Sequence, residues 1–85
     1  MGKNINVLAT CERIKLLCEE RGYDVKKLQM ELGLASPQAV YKWFEGKNIP
    51  SFDNLIDISI LLDVPINDLI VIDKLPQQTN DDEQR

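Results

Sequence analysis

Helix start and stop signals recur along this sequence at intervals too short for any long helix or regular sheet. Gly22, Gly33 and Gly46 each close a run whose apolar residues recur at threes and fours, and Thr10, Asp24, Ser36 and Ser51 each stand where a side-chain oxygen can cap the next run. Apolar residues at i, i+3 and i+4 put one face of a helix against a core, whereas a half-buried strand would alternate them. No stretch alternates, so no strand is expected. The expected fold class is all-α, five short helices in about 65 residues.

The first helix is expected from a Thr10 cap to about Arg21, with Ile14, Leu17 and Cys18 inward. The second follows an Asp24 cap from Val25 to Leu32, burying Val25, Leu28 and Leu32. The third spans 36–45: Ser36 caps it, Pro37 fills the first helical position, where an N–H would be unpaired anyway, and Gly46 stops it. Ala39, Val40, Trp43 and Phe44 form its apolar stripe, leaving Gln38, Tyr41 and Lys42 outside. Ser51 caps a fourth helix to about Asp63, and Pro65 starts a fifth, Ile66 to about Ile72. Residues 1–9 are expected to be an N-terminal arm with Ile5, Val7 and Leu8 against the core, residues 10–73 one domain, and residues 74–85 a disordered acidic tail.

Eighty-five residues allow one core and no second domain. No apolar run approaches the roughly 20 residues that span a bilayer, and no signal-peptide pattern opens the chain, so a cytoplasmic protein without a membrane partner is expected. Cys11 and Cys18, on one helix, would be about 10 Å apart, too far for a disulfide, and are expected to be free thiols. The net charge of −4 hides an asymmetry: residues 1–50 carry eight Lys or Arg against six Asp or Glu, residues 51–85 two against eight. A basic half can face a polyanion while an acidic half faces away.

Catalysis is not expected. The chain has no His, neither Cys has an activating base, and no phosphate loop or metal-ligand cluster appears, so no catalytic residue, metal or cofactor is expected. Helices 2 and 3 with their Gly-containing turn form a candidate helix-turn-helix, although spacing alone does not separate it from two packed helices of another all-α domain.

A longer string of residues does. Arg13-Ile14, Lys27-Leu28, Leu32-Gly33-Leu34, Ser36-Pro37-Gln38-Ala39-Val40-Tyr41-Lys42-Trp43, Glu45-Gly46-Lys47, Pro50-Ser51, Asn54-Leu55 and the segment from Val64 to Leu69 resemble the Cro and phage-repressor type of helix-turn-helix domain, also called lambda-repressor-like or xenobiotic-response-element (XRE) regulators. The resemblance covers roughly residues 10–72. It implies a five-helix DNA-binding domain acting as a homodimer on a palindromic double-stranded DNA operator. On that resemblance Gln38 and Lys42, flanked by Ala39 and Tyr41, take the base-reading positions. Chemistry agrees, since Gln pairs bidentately with adenine and Lys with guanine. Lys26, Lys27, Ser36, Lys47 and Asn48 take phosphate-contacting positions. Ile60, Ile66, Val71 and Ile72 are candidates for a dimer contact.

The departures from that pattern are specific. Val25 stands where a phosphate-binding Gln is usual. Gln29 stands where Ala is usual, beside a turn one residue longer than the commonest form, which is expected to make room for it. Cys18 and Phe44 stand where many members bury an Arg–Glu pair, and they are expected to pack together. Losing both charges at once avoids the cost of about 3–5 kcal/mol of stranding one of them. The competing function is a protein-binding helical module, such as the antitoxin of a toxin–antitoxin pair, whose acidic half captures a basic protein partner.

Overall fold

The computed structural model describes residues 4–73; the expected acidic tail, 74–85, lies outside them. Four α-helices follow one another: α1 (Val7–Glu20), α2 (Val25–Leu32), α3 (Gln38–Phe44) and α4 (Phe52–Leu62), then a single 3-10 turn at Ile66–Asp68. The helix α3 packs on α1 and α2, while α4 packs on α2 and on the 3-10 turn. The fold is therefore all-α, with one helix fewer than expected.

Each helix starts on a side-chain or loop signal and ends on the same device. The carboxylate of Asp24 accepts from the Lys27 N–H at 2.9 Å, and the Ser51 hydroxyl accepts from the Asn54 N–H at 3.3 Å, as expected of both caps. At every C-terminus a left-handed residue lets two successive N–H groups fold back onto the last turn. The Tyr23 and Gly22 N–H groups donate to Cys18 and Glu19 carbonyls, Leu34 and Gly33 to Gln29 and Met30, Lys47 and Gly46 to Lys42 and Trp43, and Val64 and Asp63 to Ser59 and Ile60. Four orphan carbonyl pairs are satisfied this way. Asp63 does it without being glycine, at φ 57°.

Three boundaries differ from expectation. The cap of α1 is Asn6, whose side chain accepts from the Ala9 N–H at 2.9 Å, so Val7, Leu8 and Ala9 are helical rather than part of an arm. Thr10 is instead fully buried: its hydroxyl accepts from the Val71 N–H at 2.9 Å and donates to the Val71 carbonyl at 3.3 Å. The fifth helix is only one 3-10 turn, because from Ile70 the chain runs extended. Ile72 forms an isolated antiparallel bridge with Ile5, flanked by bonds from the Asn6 N–H to the Val71 carbonyl (2.8 Å) and from the Asp73 N–H to the Asn4 carbonyl (2.7 Å). Finally, α3 begins at Gln38, with Pro37 as its cap residue. The Ser36 hydroxyl still accepts from the Gln38 N–H, at 3.4 Å.

One core holds these pieces. Ile14, Cys18, Leu28, Val40, Trp43, Leu55, Ile58, Leu62 and Leu69 are buried together, so every α-helix and the segment after the 3-10 turn contribute. Val25, Leu32 and Phe44 pack on this cluster from half-buried positions. Cys18 and Phe44 thus belong to one apolar assembly. Both cysteines are buried and free. Burial, reinforced by the neighbouring Glu19, pushes the Cys18 thiol up to about 11, with Arg21 opposing weakly, and burial raises Cys11 as well.

Candidate nucleic-acid interface

The turn between α2 and α3 sets the angle of the candidate reading helix. Gln29 is half-buried at the end of α2 and its side-chain amide donates to the Leu34 carbonyl at 3.2 Å, while the Leu34 N–H returns to the Gln29 carbonyl at 3.0 Å. The Gln side chain therefore fills the turn and is hydrogen-bonded across it. From below, Val40 and Trp43 anchor α3 in the core, and Leu28 of α2 packs in the same cluster. Opposite that anchor Gln38, Tyr41 and Lys42 are exposed, Tyr41 at 47%. Ala39 is half-buried and leans on the core from the flank.

The loop after α3 is tied to the first half of α1. The Cys11 thiol donates to the Asn48 carbonyl at 3.3 Å, and Pro50 is buried. The Leu8 side chain lies directly over Gly46, where an added Cβ would come within 2.6 Å of a Leu8 methyl. Lys47 and Asn48 of that loop are exposed, and the Asn48 carbonyl is turned in toward Cys11.

Of the expected phosphate contacts, Lys26, Lys27, Ser36, Lys47 and Asn48 are all exposed. Two of the lysines already have partners: Lys47 Nζ lies 3.2 Å from Glu45 Oε1, and Lys27 Nζ lies 5.0 Å from the centre of the Tyr23 ring. Exposed pairs of this kind are worth about 0–1 kcal/mol, little enough for a phosphate to take either lysine over. Tyr23 was not singled out by sequence reading. Its i to i+4 spacing from Lys27 at the start of a helix is the signal that could have found it.

The four dimer candidates do not share one environment. Ile60 (73% exposed) and Ile72 (63%) face outward; Ile66 packs against the core and Val71 is held by Thr10.

A solvent-facing helix of polar residues, buttressed by a preceding short helix across a tight turn, is the geometry that places side chains in a DNA major groove. The family model for helix-turn-helix domains matches residues 14–69. The chain belongs to the helix-turn-helix family. It is accordingly a DNA-binding regulator of the XRE type and not an enzyme. The crystal structure of the restriction-modification controller protein C.AhdI from Aeromonas hydrophila is similar, with a TM-score of 0.66 at 21% identity over 74% of this chain and 94% of that one. The solution structure of the SOS-response transcriptional repressor LexA from Eubacterium rectale also gives 0.66, at 18% identity over 89% of this chain and 85% of that one. At such identities the likeness concerns the fold. No curated protein matches the sequence. No helix among the described residues is long and apolar enough to cross a membrane.

Proposed function

We propose that this helix-turn-helix protein is a sequence-specific transcriptional repressor of the cytoplasm, which binds a palindromic double-stranded DNA operator as a homodimer with α3 in the major groove. The observation that carries the reading is the division of α3 into a core-anchored side, Val40 and Trp43, and an exposed polar side, Gln38, Tyr41 and Lys42. Gln38 reads adenine and Lys42 guanine, each pair contributing about 1–3 kcal/mol of discrimination, with Ala39 and Tyr41 beside them. Lys26, Lys27, Ser36, Lys47 and Asn48 hold the phosphates and fix the register. Repression is supported by the fold shared with a transcriptional repressor. Ile60 and Ile72 supply exposed apolar surface for the second copy; Ile66 and Val71 are only partly exposed.

Two substitutions test the assignment. Lys42→Ala relaxes sequence preference at one position, whereas Lys47→Ala weakens binding to all sequences and lowers the dependence of log K on log salt by about one counterion. Equal effects of the two on every duplex would remove the division of roles.

A second reading rests on a different face. Phe52, Ile56 and Ile60 lie four residues apart on the outer side of α4 and are all exposed, with Asp53 and Asp57 beside them. Residues 51–73 contain no Lys or Arg. That acid-edged apolar stripe suits a basic protein partner, as in the antitoxin of a toxin–antitoxin pair. Polar or charged replacements at Phe52 and Ile56 abolish partner capture under this reading and leave DNA binding by the monomer unchanged.

A further inference from the structure

A groove of about 560 Å³ opens where the end of α1, the loop before α2 and the end of α3 meet. Its volume lies in the range of sites for drug-sized molecules. Tyr23, Tyr41 and Phe44 line it together with Val25, so its walls are largely aromatic. Glu19, Asp24 and Glu45 stand around them with Lys15, and Glu45 is paired with Lys47 from outside the lining. The DNA reading uses only Tyr41 of these residues, and three carboxylates exclude a phosphate from the space.

We propose that this groove binds a lipophilic organic cation, of the aryl ammonium or phosphonium class, between its aromatic side chains and its carboxylates. Aromatic faces attract cations through the ring quadrupole, and the carboxylates add a field of the same preference. Two lysines outside the groove lining show the same preference: the Lys27 ammonium sits over Tyr23, and the Lys47 ammonium lies 3.2 Å from Glu45. Each is a small, strongly hydrated ion on an exposed side chain and gains little there. A bulky, weakly hydrated cation covers the rings and loses less hydration. A neutral molecule of the same shape gains only the apolar contact, and an anion meets the carboxylates.

A regulatory sign follows, resting on the proposed DNA function. Tyr41 lines the groove and also stands beside the base-reading residues, so a cation held against it occupies part of the DNA face, and cation and operator weaken each other's binding by the same factor.

The test uses two isosteric ions of opposite charge, tetraphenylphosphonium and tetraphenylborate, titrated into the DNA-free protein and followed by amide chemical shifts. The phosphonium is expected to saturate, to shift residues of the groove, and to bind about tenfold or more tightly than the borate. Glu19→Gln weakens it several-fold, and Lys27→Ala tightens it by removing the competing ammonium, a gain that partial unfolding could not produce. Equal affinity for the two ions, shifts confined to the Phe52–Ile56–Ile60 stripe, or weaker binding to the Lys27→Ala protein would overturn the site. Repeating the titration with a selected duplex tests the coupling separately: weaker DNA binding at saturating phosphonium is expected, and unchanged or tighter binding contradicts the regulatory sign. If no duplex can be selected, the DNA reading fails and the titration of the free protein still decides the site.

Discussion

Gly46 joins two constraints in a single residue. Its φ of 79° is in the region that costs a residue with a Cβ, and a Cβ there would collide with the Leu8 side chain at 2.6 Å. The Leu8 methyl is the far end of an exposed side chain and can swing aside, so the backbone conformation carries most of the cost, and Gly46→Ala should destabilise the domain by about 1–2 kcal/mol, read from urea unfolding followed by Trp43 fluorescence. Leu8→Ala in the same background should recover little of it. If Gly46→Ala is neutral, the positive φ at that position is not what holds the loop. Cys18 offers a second residue-scale test. With its thiol pushed up to about 11 by burial, native protein should resist thiol reagents at neutral pH. The folded state holds the Cys18 proton more tightly than the unfolded chain does. Stability from this group is thus fully present below the ordinary thiol value of 9.0 and falls as pH rises toward about 11. Cys18→Val should flatten that alkaline fall in a pH series of unfolding curves, and an unchanged slope would count against the buried thiol as its source.

At the scale of elements, what was legible in the sequence is what is decided locally. Asp24, Ser51 and the glycines after α1, α2 and α3 act on backbone groups within a few residues, so side-chain chemistry and spacing suffice to place them. Thr10 looked equally capable of capping, yet its hydroxyl is spent on Val71, 61 residues away, and Asn6 takes the cap. No local rule could reveal that exchange. The missing fifth helix has the same origin: Ile66 to Ile72 is apolar at helical spacing, but pairing of Ile72 with Ile5 draws the chain out straight. The exposure of Lys26, Lys27, Lys42 and Lys47 was legible from their helix and loop positions, whereas the groove around Tyr23 depends on three elements meeting. Thr10→Val should cost about 1–3 kcal/mol by leaving the Val71 N–H without its partner, while the Val71 carbonyl keeps its bond from the Asn6 N–H, with hydrogen exchange accelerating first at Val71. In the opposite direction, Asp63→Gly should stabilise by up to about 1 kcal/mol, since Asp63 holds a left-handed cap at φ 57° in glycine's usual place.

Across the whole molecule the small core and the distribution of charge serve one arrangement. Trp43 and Val40 lock α3 to residues from every other helix, so the exposed side of α3 keeps its angle as the ligand approaches. The cations Lys26, Lys27, Lys42 and Lys47 belong to the half of the chain that includes α2 and α3, and the carboxylates of residues 51–73 belong to the other. A net charge of −4 is compatible with the proposed DNA binding because the acidic surplus lies in residues 51–85, and at physiological salt only charges within about 8–10 Å of a phosphate act on it strongly. Selection from a random duplex library at low salt measures the central claim most directly, because a single result reports binding, sequence and symmetry. The predicted result is an enriched pair of inverted half-sites centred about one helical turn apart, bound less tightly as salt rises, with one position in each half-site losing its preference in the Lys42→Ala protein. No enrichment above background, or an enriched sequence that Lys42→Ala and Gln38→Ala both leave unchanged, would contradict it.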